Sequence, residues 1–204
     1  MLQTFRKAFQ IEDIRRKILY TLAMLFVGRL RSQLPTPGVD PTYIQNFFAN
    51  QTGDSFNFFN AFTGGSFETM SIFALSITPY ITSSIIIQLL TIAIPKLEEM
   101  QKEGEDGRKK LTALTRYVTV VLALIESTAM AVGFGRQGLL EKFNFVNAAI
   151  VVLTLTAGSA FLMWIGERIT EQGVGNGISI VLLINILSRI PSDMNSLYEM
   201  FISG

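Results

Sequence analysis

The run from Ile72 to Ile94 most constrains this chain, because it carries no charged residue and ends at Pro95-Lys96. At a helical rise of about 1.5 Å per residue, it is roughly 34 Å long, enough to cross a bilayer core of about 30 Å. Polar residues recur along one helical face of the run, at spacings of four, four, four and three: Ser76, Tyr80, Ser84, Gln88 and Thr91. Lipid cannot satisfy such groups, so we expect this face to contact protein or a water-filled path.

Composition indicates an integral membrane protein. The 204 residues are 49% hydrophobic and only 16% charged, whereas about 25% is usual in soluble domains. The net charge of +1 gives no basic field for binding nucleic acid. The absence of Cys and His excludes disulfides, thiolate metal sites and the commonest general base. We therefore predict neither an enzyme nor a site for a cofactor or metal.

Five apolar segments predict an all-α protein with five transmembrane helices. The predicted spans cover about 18–34, 72–94, 114–132, 146–165 and 178–190. The basic segment 1–17 is either an amphipathic helix on the membrane surface or a solvated flank. Polar loops are predicted at 95–113 and 166–177, and a polar tail at 191–204.

Lys and Arg placement predicts the orientation. With a cytosolic N-terminus, the inside segments hold twelve of the 17 basic residues and the outside segments hold five. This positive-inside bias places the end of the fifth segment outside.

Glu126 is the one acidic residue inside a predicted span, and such residues are functional candidates. Thr82 and Glu126 each lie about twelve residues from the predicted inner end of their span, or roughly 18 Å of helical rise. The equal depth predicts a hydrogen bond between them. A purely structural contact between neighbouring helices is the alternative interpretation.

Three further segments leave alternatives open. The glycines Gly173, Gly175 and Gly177 are either a flexible connector or a non-helical lead-in to a short span. The Phe-rich stretch before Gly64-Gly65 is either a packed aromatic cluster or a mobile element. The charged loop Lys96–Lys110 is either a solvated loop or a docking surface for a cytosolic partner.

Four strings of this chain closely resemble the SecY family, the protein-conducting channel of the bacterial Sec translocon. They are RSQLPTPGVD (31–40), FNFFNAFTGGS (56–66), SIFALSITPYITSSIIIQLLTIAIPKLEEMQKEGEDGRKKLTALTRY (71–117) and FLMWIGERITEQGVGNGISI (161–180). They occur in the family's order and cover essentially the whole chain, which resembles spans one to five.

The resemblance implies specific roles for residues of this chain. In the family, two inverted halves of five spans enclose an hourglass pore sealed by an apolar ring. Ile77, Ile81 and Leu182 match ring positions, and Thr82 and Glu126 match polar positions of the lateral gate, through which membrane segments reach lipid. The stretch 56–65 matches the plug, a short helix between spans one and two, with these residues: Phe56, Asn57, Phe58, Phe59, Asn60, Phe62, Gly64 and Gly65.

The resemblance also implies location and partners. The expected location is the bacterial cytoplasmic membrane, with the N-terminus in the cytosol. The expected partners are the C-terminal half of the same channel, SecE-type and SecG-type small subunits, the SecA motor, the ribosome, signal sequences and translocating polypeptides.

This chain departs from the family pattern at three points. Glu126 stands where the family usually has Gln, so gate opening is expected to depend on the protonation of this carboxyl group. Arg31 is an additional basic residue beside the usual Arg29. The chain also ends after five of the family's ten spans, so we expect it to supply half of the ring and one wall of the gate.

Two other function classes are alternatives to a channel. A small transporter whose five-span units pair as inverted dimers is the first alternative, and the positive-inside bias argues against its dual topology. A membrane enzyme is disfavoured by the missing His and Cys and by the lack of clustered acids.

Overall fold

The structure is a computed structural model that describes residues 11–32, 34–39, 71–135 and 144–188, with the single positions 42, 46, 140, 190, 194 and 198. These residues form six helices and no strand: α1 (Glu12–Ser32), α2 (Thr78–Ala93), α3 (Pro95–Lys102), α4 (Glu105–Phe134), α5 (Phe145–Gln172) and α6 (Gly177–Leu187). The predicted all-helical architecture is therefore confirmed for the described part of the chain. The predicted plug, the segment 1–10 and most of the tail 191–204 lie outside it.

The helices extend beyond the predicted apolar segments wherever charged residues continue the same helix. α1 begins at Glu12, six residues before the predicted span. α4 begins at Glu105, and α5 continues to Gln172, so most of the two predicted loops is helical. Charge marks where a helix leaves a membrane and does not mark where the helix itself ends.

The first part of the charge-free run is not helical, contrary to prediction. Residues 72–77 form successive turns, and α2 begins only at Thr78, with Pro79 in its first turn. Ser76 has φ +54°, in the left-handed region that L-residues seldom adopt. A left-handed residue interrupts the helical ladder, and Pro79 supplies no backbone N–H to repair it.

The unwound segment 71–77 is buried, and its backbone groups find partners. Phe73 to Ile77 are each at most 3% exposed. The backbone N–H of Ile72 donates to the carbonyl oxygen of Leu34 over 3.1 Å, and that of Ser76 donates to Phe73 over 2.8 Å. Irregular backbone at membrane depth is tolerated only where protein or water satisfies it, and protein does so here.

α2 and α3 form a bent pair, with an angle of 103° between them. Ile94 is extended between the two helices, and Pro95 begins α3. Proline favours this first helical position because its missing N–H would have no partner there. The predicted loop 95–113 is thus a short helix that turns sharply away from α2 and leads into α4.

α5 is the central helix of the bundle and contacts α1, α2, α4 and α6. α5 also approaches the unwound segment closely, because a Cβ added to Gly158 would overlap the carbonyl oxygen of Ile72. At the far end of α5, a Cβ added to Gly177 would overlap the carbonyl oxygen of Gly166. Both glycines are therefore required by close approach of two backbones.

The glycine run 173–177 is a structured turn between α5 and α6. Gly175 has φ +68°, and the Asn176 side chain accepts hydrogen bonds from the backbone N–H groups of Ile178 and Ser179, which caps α6. The Thr21 hydroxyl on α1 accepts a hydrogen bond from the backbone N–H of Val174 over 3.2 Å. Of the two interpretations, a non-helical lead-in to a short helix describes this turn better than a flexible connector.

Short hydroxyl side chains connect the longer helices in two places. Ser83 on α2 lies 2.5 Å from Thr119 on α4, between the two hydroxyl oxygens, and both residues are buried. Ser127 on α4 and Thr156 on α5 approach to 3.1 Å in the same way. All four hydroxyls also lie within hydrogen-bond distance of carbonyl oxygens of their own helices.

By length and composition, two helices can cross a membrane, over Glu105–Gly133 and Phe145–Gln172, and the bent pair makes a third if it counts as one span. These numbers refer to the described residues only. α6 is apolar but has 11 residues, about 17 Å of helix. Five spans therefore stay a prediction.

We predict that Gly158→Ala destabilises the fold by about 1–3 kcal/mol, because the added methyl group must displace the backbone at Ile72. The free energy of unfolding in mixed micelles measures this effect. Gly133→Ala in α4 is the matched control, since no atom lies within 4 Å of its added Cβ. Equal stability of the two variants would contradict the close approach of α5 to the unwound segment.

Candidate functional site

The three residues that match ring positions lie in one apolar cluster. Ile77 is buried with three side chains of α5 and α6, and Ile81 and Leu182 pack against that cluster at its partly exposed edge. The three buried partners of Ile77 are Ile165, Ile169 and Val181. We call these six residues the ring cluster. The cluster joins the start of α2 to α5 and α6, which are distant from it in sequence.

Hydrogen bonds set the relative depth of the ring-matching residues. Ser76 contacts both Ser159 on α5 and Asn185 on α6, so these three residues share one level of the bundle. Leu182 lies three residues before Asn185, or about 4.5 Å along α6. Ile77 directly follows Ser76, and Ile81 lies four residues farther along the chain, in the first turn of α2. Leu182 and the two isoleucines therefore lie close to the level that Ser76, Ser159 and Asn185 share.

The side chains of these three residues differ in what they expose. Ile77 is 2% exposed and is covered by this chain itself. Ile81 and Leu182 are of intermediate exposure and leave apolar surface uncovered on one side of the cluster. Any surface that closes against this site from outside the chain would therefore meet Ile81 and Leu182 before Ile77.

Two polar side chains beneath the ring cluster were not identified from the sequence. The Ser159 hydroxyl donates to the Ser76 carbonyl oxygen over 3.2 Å, and the Asn185 side-chain amide donates to the Ser76 hydroxyl oxygen over 3.2 Å. They come from two different helices and meet at the one described non-glycine residue with positive φ. A polar Asn185 three residues from Leu182 in an apolar helix was the available signal.

Thr82 and Glu126 are not brought together, contrary to the predicted hydrogen bond. Both lie in the described part of the chain, and no hydrogen bond joins them. Thr119 is the α4 residue level with Ser83, and Glu126 lies seven residues, or about 10 Å, farther along α4. The depth estimate failed because α4 starts at Glu105, nine residues before the predicted span.

An ion pair joins α4 to α5 on the side of Thr119 that faces away from Glu126 along α4. Arg116 Nε lies 2.8 Å from Glu167 Oε1, and the Glu167 side chain is 12% exposed. Together with the Ser127–Thr156 contact, it shows that α4 and α5 run antiparallel. The described residues contain no group of three acidic side chains that could hold a metal ion.

Comparison with known proteins gives one consistent family. The SecY family model matches residues 71–204. Protein translocase subunit SecY of Halalkalibacterium halodurans is 45% identical over 202 residues, which cover 98% of this chain and 46% of that protein. The same subunit of Bacillus subtilis is 45% identical over 203 residues, covering 98% of this chain and 46% of that protein.

Solved structures share the fold at lower identity. Sec61 in the canine ribosome-channel complex from the endoplasmic reticulum has a TM-score of 0.58 and 19% identity, covering 86% of this chain and 36% of that one. A structure described as a protein conducting channel gives the same four values. These likenesses concern the fold alone.

The chain spans about half the length of the curated relatives it matches. The family model covers about two thirds of the chain, and the ring cluster residues of α2, α5 and α6 all lie within the matched range. The chain belongs to the SecY family.

Proposed function

We propose that this chain forms one half of a protein-conducting channel, which passes unfolded secretory proteins across the bacterial cytoplasmic membrane and membrane segments laterally into it. The observation that carries the proposal is the ring cluster, in which Ile77, Ile81 and Leu182 meet although up to 105 residues separate them. Family membership supports the same function. In this proposal a second half, equivalent to the C-terminal half of the family's channel, completes the pore.

An apolar ring is suited to sealing a channel that must also open widely. A dry constriction of aliphatic side chains excludes ions, because water is unstable inside it. Aliphatic side chains make no directional bonds, so they can separate around a passing chain without leaving unpaired polar groups. The partly exposed Ile81 and Leu182 are the side chains of this half that would meet the opposite half.

The lateral gate is proposed along the exposed side of α2. Ile85, Leu89 and Ile92 form an exposed apolar row there, opposite the buried face at Ser83, Ile87 and Thr91. Thr82 adjoins this row, and Glu126 lies on α4 about 10 Å farther along the bundle. The two residues are therefore proposed as separate polar points of the gate and not as a bonded pair.

The remaining assignments are proposals from the resemblance. They comprise the plug at 56–65, five spans with a cytosolic N-terminus, and SecE-type and SecG-type subunits, the SecA motor and the ribosome as partners. The helical α3 and the first turns of α4 give a motor or ribosome a structured, charged surface. Three ion pairs are exposed on that surface: Lys102–Glu98, Lys109–Asp106 and Lys110–Glu103.

We predict that co-expression of this chain with a matching second half restores secretion in a cell depleted of its translocon. The measured quantity is export of a signal-bearing reporter protein. The chain expressed without the second half is the control and is expected to export none. Transport of a small solute by the chain alone in vesicles would contradict the proposal and favour the transporter alternative.

We predict that a Cys at Leu182 or Ile81 crosslinks to an arrested translocating polypeptide, because ring residues surround the passing chain. The absence of natural Cys makes each single-Cys variant unambiguous. Leu153→Cys is the matched control for Leu182→Cys, since Leu153 is 64% exposed on α5 but outside the ring cluster. Equal crosslinking at Leu153 and Leu182 would reject the ring assignment.

We predict that Glu126→Gln changes the export of substrates with weak signal sequences, because it replaces an ionisable gate residue with a neutral amide of similar size. Export is measured at two pH values, and the variant is expected to lose the pH dependence that this carboxyl group contributes. Glu12→Gln, in the exposed first turn of α1, is the control. Unchanged export by Glu126→Gln at both pH values would contradict a role for Glu126 in the lateral gate.

A further inference from the structure

Asn185 is a polar residue of α6 to which the channel proposal assigns no role. Its side-chain amide donates to the Ser76 hydroxyl oxygen over 3.2 Å. Leu182 lies three residues earlier on the same face of α6, and Ile77 directly follows Ser76. The hydrogen bond therefore joins the two elements that carry all three ring-matching residues.

Ser76 adopts a conformation that its own chemistry does not favour. Its φ of +54° is usual for glycine and uncommon for a residue with a Cβ. Ser159 on α5 donates to its carbonyl oxygen, and Asn185 on α6 donates to its hydroxyl oxygen. Such a conformation persists only when surrounding groups impose it, and here the groups come from two separate helices.

The conformation of Ser76 decides where Ile77 points. Ile77 is the residue immediately before α2, and its carbonyl oxygen accepts the first backbone bonds of that helix, from Tyr80 and Ile81, each at 3.1 Å. A return of Ser76 to the right-handed region would reorient the peptide that precedes Ile77. The Ile77 side chain would then leave its place against Ile165 and Ile169.

We propose that Asn185 is a positioning residue, which keeps Ile77 buried in the ring cluster by holding Ser76 in the left-handed conformation. Displacement of α6 from α2 withdraws the amide from Ser76 and loosens Ile77. Movement of α6, which carries Leu182, thereby releases Ile77. That consequence for the seal rests on the proposed channel function, whereas the positioning of Ile77 does not.

Alkylation of a single Cys at position 77 tests the positioning directly. Ile77→Cys in the otherwise cysteine-free chain reacts slowly with N-ethylmaleimide in nanodiscs, because the site is 2% exposed. Adding Asn185→Leu is expected to raise that rate roughly tenfold, since it increases the population of a locally opened state. Asn185→Ala removes the amide without adding a larger apolar side chain, so the same direction is expected if the leucine variant fails to fold.

Ile87→Cys is the matched control, because Ile87 is equally an isoleucine of the α2 region, is 5% exposed and packs on the face toward α4. Its alkylation rate is expected to stay unchanged in the Asn185 variants. Asn144→Leu is a second control, an identical substitution at the exposed N-cap of α5. Equal acceleration at positions 77 and 87 would show general loosening of the fold and overturn the proposal.

Ser76→Gly tests whether Asn185 acts through Ser76. Glycine adopts positive φ readily and lacks the hydroxyl acceptor. Asn185→Leu is therefore expected to have no further effect on Ile77→Cys alkylation in the Ser76→Gly background. A full tenfold acceleration in that background, or none in the natural one, would overturn the proposal.

The alkylation assay uses this chain alone, so its result is independent of translocation. Ion leak through the channel assembled with its second half is measured separately in Asn185→Leu and is expected to increase. Accelerated alkylation without increased leak would support the positioning role and count against Ile77 as part of the seal. Increased leak with unchanged alkylation would overturn the positioning role.

Discussion

Protein surrounds the unwound segment 71–77, and the rest of the bundle depends on that burial. A stretch of backbone without a complete helical ladder has unpaired groups, which lipid cannot satisfy. α5 approaches the segment closely at Gly158, and its Ser159 hydroxyl donates to the Ser76 carbonyl oxygen. Leu34, after α1, supplies a carbonyl oxygen to the backbone N–H of Ile72, and Asn185 on α6 donates to the Ser76 hydroxyl oxygen. The contacts of α1 and α5 with this segment therefore supply backbone partners, and α6 adds a side-chain contact.

The sequence predicts the helical class and the approximate position of five of the six described helices, because apolar runs and glycine turns are local signals. It predicts a polar loop where the short helix α3 lies, since α3 carries no apolar run. It did not predict the unwound segment, since Phe73, Ala74 and Leu75 are as apolar as any span. Pro79 is a local signal near the break, but the left-handed Ser76 and the partners that distant helices supply complete it. Such partners depend on tertiary packing, which no local pattern encodes.

The site residues show the same difference between what local sequence signals predict and what depends on tertiary packing. Ile77, Ile81 and Leu182 were found through resemblance, and the structure places them in one cluster, although their role at a pore stays a prediction. The predicted depth of Glu126 is wrong, because the charged residues near Glu105 lie within α4 and do not mark its beginning at residue 114. Ser159 and Asn185 were missed, because a single hydroxyl or amide in a span has many structural uses.

The hydroxyl pairs between helices have a consequence for how the bundle comes apart. Ser83 and Thr119 have two hydrogens between them, yet each oxygen also lies near a carbonyl oxygen of its own helix. If α2 and α4 separate, each hydroxyl retains a local acceptor and no polar group enters lipid unpaired. The same holds for Ser127 and Thr156. These contacts orient the helices, and breaking them costs little free energy because each hydroxyl keeps an acceptor on its own helix. The bundle can therefore be well ordered and still separate between α2 and α4 or between α4 and α5.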